Sequence, residues 1–242
     1  MNKYFAGYVT LRSITSVTDT QAKKLTHLNL AFAPMKDGET AMVLDERQLL
    51  EIARLRRANP QLAILVSTGG GGDRGHGEAT STPEGLDKLT ESTIRLVERY
   101  DLDGIDCDWE FPGDTGVIEE KYQHTALFAD YRRKLDLLSE KTGKKYWLTT
   151  AAGAGEWYLN RTEIGKSHEY LDLLTGEVKG SDVMFANYIG EKLGVSRQSI
   201  YKWESDASLP EIDKLIFLSK QFGVSVGWLL GVEEAPCNAG TE

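Results

Sequence analysis

The stretch that decides the fold runs from residue 103 to residue 110 and reads Asp-Gly-Ile-Asp-Cys-Asp-Trp-Glu. Side chains alternate between the two faces of a β-strand, so Asp106, Asp108 and Glu110 point to one face at spacings of about 6.6 Å. The positions between them carry the apolar side chains Ile105, Cys107 and Trp109. The stretch therefore predicts a buried strand with an acidic row on one side.

Carboxylates crowded on one face repel each other and raise the pKa of at least one of them. A carboxyl group with a raised pKa is suited to general acid chemistry. The row therefore predicts a catalytic site made of Asp106, Asp108 and Glu110. The alternative is an edge strand whose acidic face is solvated.

Five short apolar runs alternate with helical patterns in the first part of the chain. The runs lie at residues 4–9, 27–33, 63–67, 104–108 and 146–152. Strands that alternate with helices predict βα units and a parallel sheet. In a (β/α)8 barrel the catalytic residues lie at the carboxyl ends of the strands, where Glu110, Ser67 and the glycines after it fall.

Two of the intervening helices have clear start signals. Asp45 is a predicted N-cap, and Thr82 followed by Pro83 begins a second helix. Apolar residues at helical spacing then define the faces that cover the sheet. These are Leu86, Leu89, Thr93, Leu96, Val97 and Tyr100, and in the next helix Leu127, Phe128, Tyr131, Leu135 and Leu138.

Composition excludes several classes of protein. The chain has 242 residues, of which 40% are hydrophobic and 27% charged, as in ordinary globular proteins. Its net charge of −9 argues against nucleic-acid binding over the whole surface, although a local basic face stays compatible with it. The apolar runs fall far short of the roughly 20 residues that cross a bilayer, and no signal peptide is visible. We therefore expect a cytoplasmic protein with no membrane partner.

Cysteine and histidine usage gives no sign of a disulfide framework or a metal site. Only Cys107 and Cys237 are present, and the four histidines are scattered through the sequence. The glycine run at residues 69–72 lacks the lysine and hydroxyl residue of a phosphate-binding loop. We expect no metal and no organic cofactor.

The acidic stretch resembles the Asp-x-x-Asp-x-Asp-x-Glu signature of family 18 glycoside hydrolases, the chitinase family. Ser67-Thr68-Gly69-Gly70 is similar to the Ser-x-Gly-Gly of that family's third strand, and Tyr8 occupies a first-strand position that often lines the sugar site. The resemblance covers residues 1 to about 172. It implies chitin or a chito-oligosaccharide as substrate, and hydrolysis with retention that uses the substrate's own acetamido group as nucleophile.

The resemblance also implies a role for each matched residue. Glu110 is the general acid and base, Asp108 orients the acetamido group, and Asp106 shares a proton with Asp108. Asp103 has the opposite strand parity, so we expect a structural acid there. The expected substrate-binding residues are Tyr8, Ser67, Gly69, Gly70 and Trp109.

The resemblance accounts for only part of a barrel. Eight βα units need roughly 250 residues, or roughly 31 per unit, so residues 1–172 supply five units and the start of a sixth. The family has a Met-x-Tyr-Asp on its sixth strand and a tryptophan on its eighth, and neither is found. Met184-Phe185-Ala186-Asn187-Tyr188 has the wrong spacing for the first of these motifs.

Residues 190–204 have a different character and read Gly-Glu-Lys-Leu-Gly-Val-Ser-Arg-Gln-Ser-Ile-Tyr-Lys-Trp-Glu. Gly194 and Val195 form a predicted turn, and Ser196 caps the helix that follows. This stretch resembles the helix-turn-helix core of Cro/C1-type (XRE) transcriptional regulators. The match continues through Leu209-Pro210 and a predicted helix over 211–222. The family has a further helix in front, for which residues 167–174 are the candidate.

The second resemblance implies double-stranded DNA as a partner. A homodimer would place two recognition helices about 34 Å apart on the duplex. The outer face of the recognition helix carries the expected DNA-binding residues Ser196, Arg197, Gln198, Ser199 and Lys202. A small helical bundle with a solvated polar face is the alternative.

The sequence thus predicts an α/β fold, an incomplete (β/α)8 (TIM-type) barrel of about five βα units, followed by a small all-α helix-turn-helix domain. The predicted limits are 1–174 for the partial barrel, 175–182 for the junction, 183–232 for the helix-turn-helix and 233–242 for a tail. One interpretation is a chitinase-like hydrolase fused to a DNA-binding domain. A second is a transcriptional regulator whose hydrolase-like part is an inactive sugar sensor or interaction module. A third is a recombined gene product with neither function intact.

Overall fold

A computed structural model gives the fold of the chain. It describes residues 4–153, 156–176, 193–196, 199, 202–203, 208–222, 225–230 and 232. Within these residues the central feature is a six-stranded sheet in which every neighbouring pair of strands is parallel. The strand order in the sheet is the order in the chain, as expected for successive βα units that curl into part of a barrel.

The sheet strands agree with the five predicted runs and add a sixth. In chain order they are β1 (Ala6–Thr10), β2 (His27–Ala33), β5 (Ala63–Gly69), β6 (Gly104–Asp108), β7 (Trp147–Ala152) and β8 (Leu173–Gly176). A separate antiparallel hairpin, β3 (Met35–Lys36) and β4 (Glu39–Thr40), follows β2.

Helices connect the strands on the outer side of the sheet. Up to residue 167 they are α1 (Asp19–Ala22), α2 (Glu46–Ala58), α3 (Gly75–Ala79), α4 (Pro83–Arg99), α5 (Glu120–Thr142), α6 (Glu156–Asn160) and α7 (Ile164–Ser167). Short 3-10 helices lie at Leu11–Ser16 and His168–Tyr170. No helix in the described part of the chain is both long and apolar enough to cross a membrane.

The predicted helix starts are correct, and the reason is local. Asp45 caps α2 by accepting from the Gln48 amide at 2.8 Å, while the Gln48 side chain accepts from the Asp45 amide in a capping box. Thr82 caps α4, with Pro83 in its first turn. Of the predicted apolar stripes, every α5 residue is buried, and on α4 only Leu86 is partly exposed.

The sheet has two faces of different chemistry. The face toward the helices is apolar, and Ile64, Val66, Ile105 and Leu148 form its fully buried centre. The concave face carries polar side chains at strand positions of the opposite parity, among them Asn29, Ser67, Asp106 and Thr149. Burial of the apolar face stabilises the sheet, and the polar residues at the centre of the concave face are buried as well.

A repeated hydrogen bond joins the strands in pairs at their amino-terminal ends. Asp103, just before β6, accepts from the Ile64 amide through its carboxylate at 2.8 Å and donates its own amide to the Ile64 carbonyl at 2.8 Å. Asp172, before β8, makes the same two bonds to Leu148 at 2.9 and 2.8 Å. Thr26, before β2, forms the same pair of bonds with Phe5. Its hydroxyl oxygen accepts from the Phe5 amide at 2.8 Å, and its own amide donates to the Phe5 carbonyl at 2.9 Å. We call these three residues the strand clamps.

The prediction that residues 167–174 form the first helix of the helix-turn-helix is wrong. The segment contains the end of α7, a 3-10 turn and the first residues of β8. Residues 173–176 pair with β7 from Thr149 to Ala152, so they belong to the sheet. β8 also reaches two residues into the segment that was predicted as the junction.

The described part of the C-terminal region is helical. Leu193 is buried, Gly194 has a φ of +65°, and the Ser199 amide donates to the Ser196 hydroxyl at 3.2 Å. The left-handed glycine and the serine cap are what a tight turn between two helices requires. Two further helices follow, α8 (Ile212–Phe222) and α9 (Val226–Leu229). Residues 184–188, whose spacing was compared with the sixth-strand motif, lie outside the described residues.

Candidate active site

Asp106 lies at the centre of the concave face, held by hydroxyl groups from both sides. The strand register places Ser67 on β5 and Thr149 on β7 directly beside it. The Ser67 hydroxyl donates to one carboxylate oxygen at 2.7 Å, and the Thr149 hydroxyl donates to the other at 2.6 Å. The Tyr8 hydroxyl from β1 also hydrogen-bonds this carboxyl group. Asp106 is therefore fixed in position by three strands besides its own.

Burial controls the protonation of Asp106. The side chain is 0% exposed, and loss of solvation raises the pKa of the carboxyl group above its usual range. The hydrogen bonds from Thr149, Ser67 and Tyr8 oppose this shift without cancelling it. The Tyr8 side chain is partly exposed, but desolvation of its hydroxyl and the charge of Asp106 raise the pKa of Tyr8, so the hydroxyl keeps its proton. Burial thus favours the protonated form of Asp106, whereas the three hydroxyl donors favour the charged form.

Asp108 ends β6 and is also buried, at 4% exposure. Its carbonyl oxygen accepts from the Gly70 amide at 2.8 Å, and in the register it lies opposite Gly69. A Cβ atom at Gly69 would lie 2.2 Å from that carbonyl oxygen, and one at Gly70 would lie 2.6 Å from the Phe32 ring. Both glycines are needed because side chains there would overlap the backbone or the ring.

Glu110 lies two residues beyond the end of β6, at the carboxyl edge of the sheet. It is partly exposed, unlike Asp106 and Asp108. Its carboxylate faces the glycine loop, since a Cβ atom at Gly71 would lie 3.6 Å from its Oε2 atom. Solvent exposure thus increases along the row of acids, from the buried Asp106 to the partly exposed Glu110. Glu110 is the acid that can reach a ligand.

Trp109 is not brought together with the acids. Its side chain is 5% exposed, stacks on His76 with ring centres 5.3 Å apart, and lies 5.8 Å from the His124 ring. This environment belongs to the core between the sheet and the helices, so the contact of Trp109 with substrate stays a prediction. Tyr8 is 43% exposed at the opposite face, with its ring centre 6.3 Å from that of Phe32.

Asp103 lies at the far end of β6 from Glu110, where it is one of the strand clamps. Besides the Ile64 amide, its carboxylate meets Arg56 at 3.0 Å and Lys144 at 2.9 Å. These contacts give it a structural setting, remote from the concave site.

Sequence reasoning missed two residues of this site. Thr149 donates to Asp106, and Phe32 closes over Gly70 beside Tyr8. The position of Thr149 within the fifth predicted strand is a usable signal. Strand alternation puts its polar side chain on the concave face, next to the acids of the fourth predicted strand. Phe32 gives a weaker signal, as an aromatic residue near the carboxyl end of the second predicted strand.

Aromatic residues also gather where the chain leaves β6. The Phe111 ring meets the Trp157 ring edge-on at 4.7 Å, and the Arg161 guanidinium lies 5.1 Å from the centre of the Trp157 ring. Trp157 is 42% exposed. Among the described residues, no group of three His, Cys, Asp or Glu side chains is placed to hold a metal ion.

The predicted DNA-binding residues are only partly described. Ser196 caps the helical turn, Ser199 bonds back to it, and Lys202 is exposed. Arg197 and Gln198 lie outside the described residues.

Comparison with known proteins gives two family matches. The model for Glycosyl hydrolases family 18 matches residues 4–207. A Helix-turn-helix model matches residues 187–229, so the two matches overlap.

Individual relatives agree with the first match. Chitinase A1 of Niallia circulans is 29% identical over 141 residues, 54% of this chain and 20% of the relative. Chitinase B of Serratia marcescens is 27% identical over 190 residues, 69% of this chain and 37% of the relative. The chain thus spans well under half the length of either.

A solved structure agrees as well. A glycoside hydrolase family 18 N-acetylglucosaminidase from Paenibacillus barengoltzii is 38% identical and superimposes with a TM-score of 0.68, covering 72% of this chain and 53% of that one. The family model covers far more than half of the chain, and the acidic row lies at the carboxyl edge of the curled sheet. The chain therefore belongs to glycosyl hydrolases family 18.

Proposed function

We propose that this chain hydrolyses β-1,4 bonds between N-acetylglucosamine units in chitin or chito-oligosaccharides. The observation that carries the proposal is the fixed carboxyl row. Asp106 is held between Ser67 and Thr149, and Asp108 and Glu110 follow it toward the open edge of the sheet. The names of the matched chitinases and of the N-acetylglucosaminidase support the same class of substrate.

Glu110 is the proposed general acid and base. It is the acid that a substrate can reach, and the loop beside it is built of glycines, which leave room for a sugar. It protonates the leaving oxygen while the acetamido oxygen of the substrate attacks the anomeric carbon. It then takes a proton from the water that opens the oxazolinium intermediate.

Asp108 and Asp106 act as a pair in this proposal. Asp108 orients the acetamido N–H and stabilises the positive charge of the intermediate. The raised pKa of Asp106 lets it hold a proton that it shares with Asp108. Ser67, Thr149 and Tyr8 keep Asp106 aligned, so we assign them a positioning role.

The test is turnover of a fluorogenic chitobioside by the purified full-length chain. Glu110→Gln should lower kcat at least about 100-fold, because it removes the general acid without changing shape. Glu119→Gln, an exposed glutamate in the following loop, is the matched control and should leave turnover unchanged. Absence of turnover from folded wild-type protein would contradict the proposal, as would equal loss in both variants.

We also propose that the C-terminal part binds double-stranded DNA. The match to a Helix-turn-helix model and the Ser196 cap after a left-handed Gly194 support this second function. Lys202 is exposed on the proposed recognition helix, and each phosphate contact made by a lysine or arginine adds to the salt dependence of binding.

Random duplex libraries selected on the full-length chain provide the DNA test. Binding to a selected duplex should weaken steeply with salt, and Lys202→Ala should reduce the salt slope by about 1. Glu110→Gln should bind DNA as the wild type does. A folded chain that selects no sequence would contradict this function. DNA binding that changes with added chitobiose, without turnover, would favour the regulator with a sugar-sensing domain.

A further inference from the structure

A buried acid outside the acid row lies at the start of α5. The Glu120 side chain is 5% exposed, although Glu120 is the first residue of the helix. A buried carboxyl group is costly unless its oxygens accept hydrogen bonds. The Gly113 amide donates to Glu120 Oε2 at 2.6 Å, and the Thr115 hydroxyl donates to Oε1 at 3.1 Å. Both donors belong to residues 111–116, the segment directly after Glu110, which we call the exit loop.

These two bonds are not an ordinary helix cap. The usual partners of a carboxylate at a helix start are the free amides of that same helix. Both Glu120 oxygens accept instead from residues five and seven positions earlier in the chain. Glu119, the N-cap residue of α5, makes no side-chain cap either. The Glu120 carboxyl group therefore holds the exit loop rather than the first turn of the helix.

A glycine on the other side of this carboxyl group shows how closely it is enclosed. Gly77 lies in α3, the short helix that follows the glycine loop after β5. A Cβ atom at Gly77 would lie 2.3 Å from Glu120 Oε1 and 3.6 Å from the Trp109 ring. Glu120 thus lies between α3 and the exit loop, and a side chain at position 77 would displace its carboxyl group.

The exit loop determines how the chain continues from Glu110. Gly113, the residue that Glu120 holds, is only three positions after Glu110. Asp114 of the same loop pairs with Arg74 from the loop after β5 at 3.3 Å, and with Arg161 after α6 at 3.5 Å. A shift of the exit loop would therefore move Glu110 and both neighbouring contacts. A displacement of about 1 Å at a reacting group can slow a reaction about 100-fold.

We propose that Glu120 is a positioning residue for the hydrolysis. It holds the exit loop at Gly113 and Thr115 and so fixes the orientation of the Glu110 carboxyl group. The proposal rests on the function proposed above, in which Glu110 is the general acid and base. A misaligned general acid loses contact with the transition state while the substrate still binds, so the loss should appear in kcat rather than in KM.

Substitutions at position 120 test this role. Glu120→Ala should lower kcat for the chitobioside about 30-fold and change KM less than about threefold. Glu120→Gln should keep kcat within about fivefold of wild type, because its amide can accept from Gly113 and donate to Thr115. Glu119→Ala, at the exposed neighbour, should leave both constants unchanged. Thermal melting checks that the variants are folded. An alanine variant with wild-type kcat would overturn the proposal, as would a glutamine variant as slow as the alanine variant.

Gly77→Ala displaces the same carboxyl group without altering it. Alanine favours a helix over glycine, so α3 itself should not be weakened. The added methyl group pushes Glu120 away from its donors, so kcat should fall about tenfold. In the Glu120→Ala background the same substitution should change kcat less than about twofold, because the carboxyl group is absent. Losses that simply add in the double variant would overturn the proposal.

Hydrogen exchange at the Gly113 amide separates this proposal from the proposed function, because it needs no turnover. Glu120→Ala should speed exchange at this amide at least about tenfold, and Glu119→Ala should not. Unchanged exchange in Glu120→Ala would overturn the positioning role even in an active chain. A wild-type chain without turnover, whose Glu120→Ala variant exchanges faster at Gly113, would contradict the proposed function alone.

Discussion

Asp106 illustrates how a single residue can be identified from sequence while its environment cannot. Strand parity places it on the same face as Asp108 and Glu110 without any knowledge of the fold. Its partners, Ser67 and Thr149, are 39 and 43 residues away, and only the strand register brings them within hydrogen-bond distance. The acid row was therefore predictable, but the two hydroxyl donors required the sheet.

Gly69 should be the most sensitive glycine of the loop after β5. Its φ is +90°, and a Cβ atom would lie 2.2 Å from the Asp108 carbonyl oxygen. Gly69→Ala should cost about 2–4 kcal/mol of unfolding free energy and slow turnover, because β6 must move away from the added methyl group. Urea unfolding and chitobioside hydrolysis measure the two effects.

Gly72→Ala separates backbone strain from this overlap. Gly72 has nearly the same φ, +92°, but an added Cβ atom meets nothing within 4 Å. The substitution should cost only about 1 kcal/mol and leave turnover intact. Equal losses in the two variants would mean that the contact with Asp108 is not what demands a glycine at position 69.

At the scale of elements, the helices were easier to predict than the last strand. Helix prediction rests on local signals. These are the caps at Asp45 and Thr82 and the spacing of apolar residues along α4 and α5, all of which involve residues close together in the sequence. The Leu-Asp-Leu-Leu at 171–174 carries no such signal, and its prediction as part of a helix is wrong. Its extended form follows from Asp172, whose bonds to Leu148 and Arg132 reach 24 and 40 residues back along the chain.

Removal of the Asp172 clamp should loosen β8. Its carboxylate accepts from the Leu148 amide and pairs with Arg132 at 2.9 Å. Asp172→Ala should lower the unfolding free energy by about 1–3 kcal/mol, because it leaves a partly buried amide and guanidinium without this acceptor. Hydrogen exchange at the Leu148 amide should accelerate.

Asp136→Ala is the matched control, because Asp136 pairs with the same arginine at 2.7 Å but is 60% exposed. Surface pairs of this kind contribute little, so stability should change by less than about 0.5 kcal/mol. If the control variant lost as much as Asp172→Ala, the charge of Arg132 rather than the clamp would explain the effect.

For the molecule as a whole, two buried histidines set its response to acid. His76 and His124 flank Trp109, and burial lowers the pKa of each to about 3. In the unfolded chain both titrate near about pH 6.5, so between these values the unfolded state binds more protons than the folded state. Stability should therefore fall as pH drops below about 6.5, by about 1.4 kcal/mol per pH unit for each histidine.

Urea unfolding at pH 7 and pH 5 measures this slope before most carboxylates titrate. Phenylalanine keeps a flat ring against Trp109 but cannot bind a proton, so His76→Phe and His124→Phe should each remove their share of the slope. His27, whose pKa burial also lowers, should retain part of it in the double variant. A double variant with the wild-type slope would contradict the assignment.

The strand clamps have a further consequence for how such a sheet is assembled. They group its strands in twos, β1 with β2, β5 with β6 and β7 with β8. At their amino-terminal ends, strands of neighbouring pairs are joined by backbone bonds, such as Ala63 N to Thr26 O and Trp147 N to Asp103 O, so the clamp marks every second strand pair. An eight-stranded barrel would hold four such pairs, and this sheet holds three. Within the described residues β1 and β8 form the two edges, and one more such pair would span the distance between them in a closed barrel. We expect a separate peptide of two βα units to dock on this sheet as a single piece, because its two strands would already be joined by a clamp.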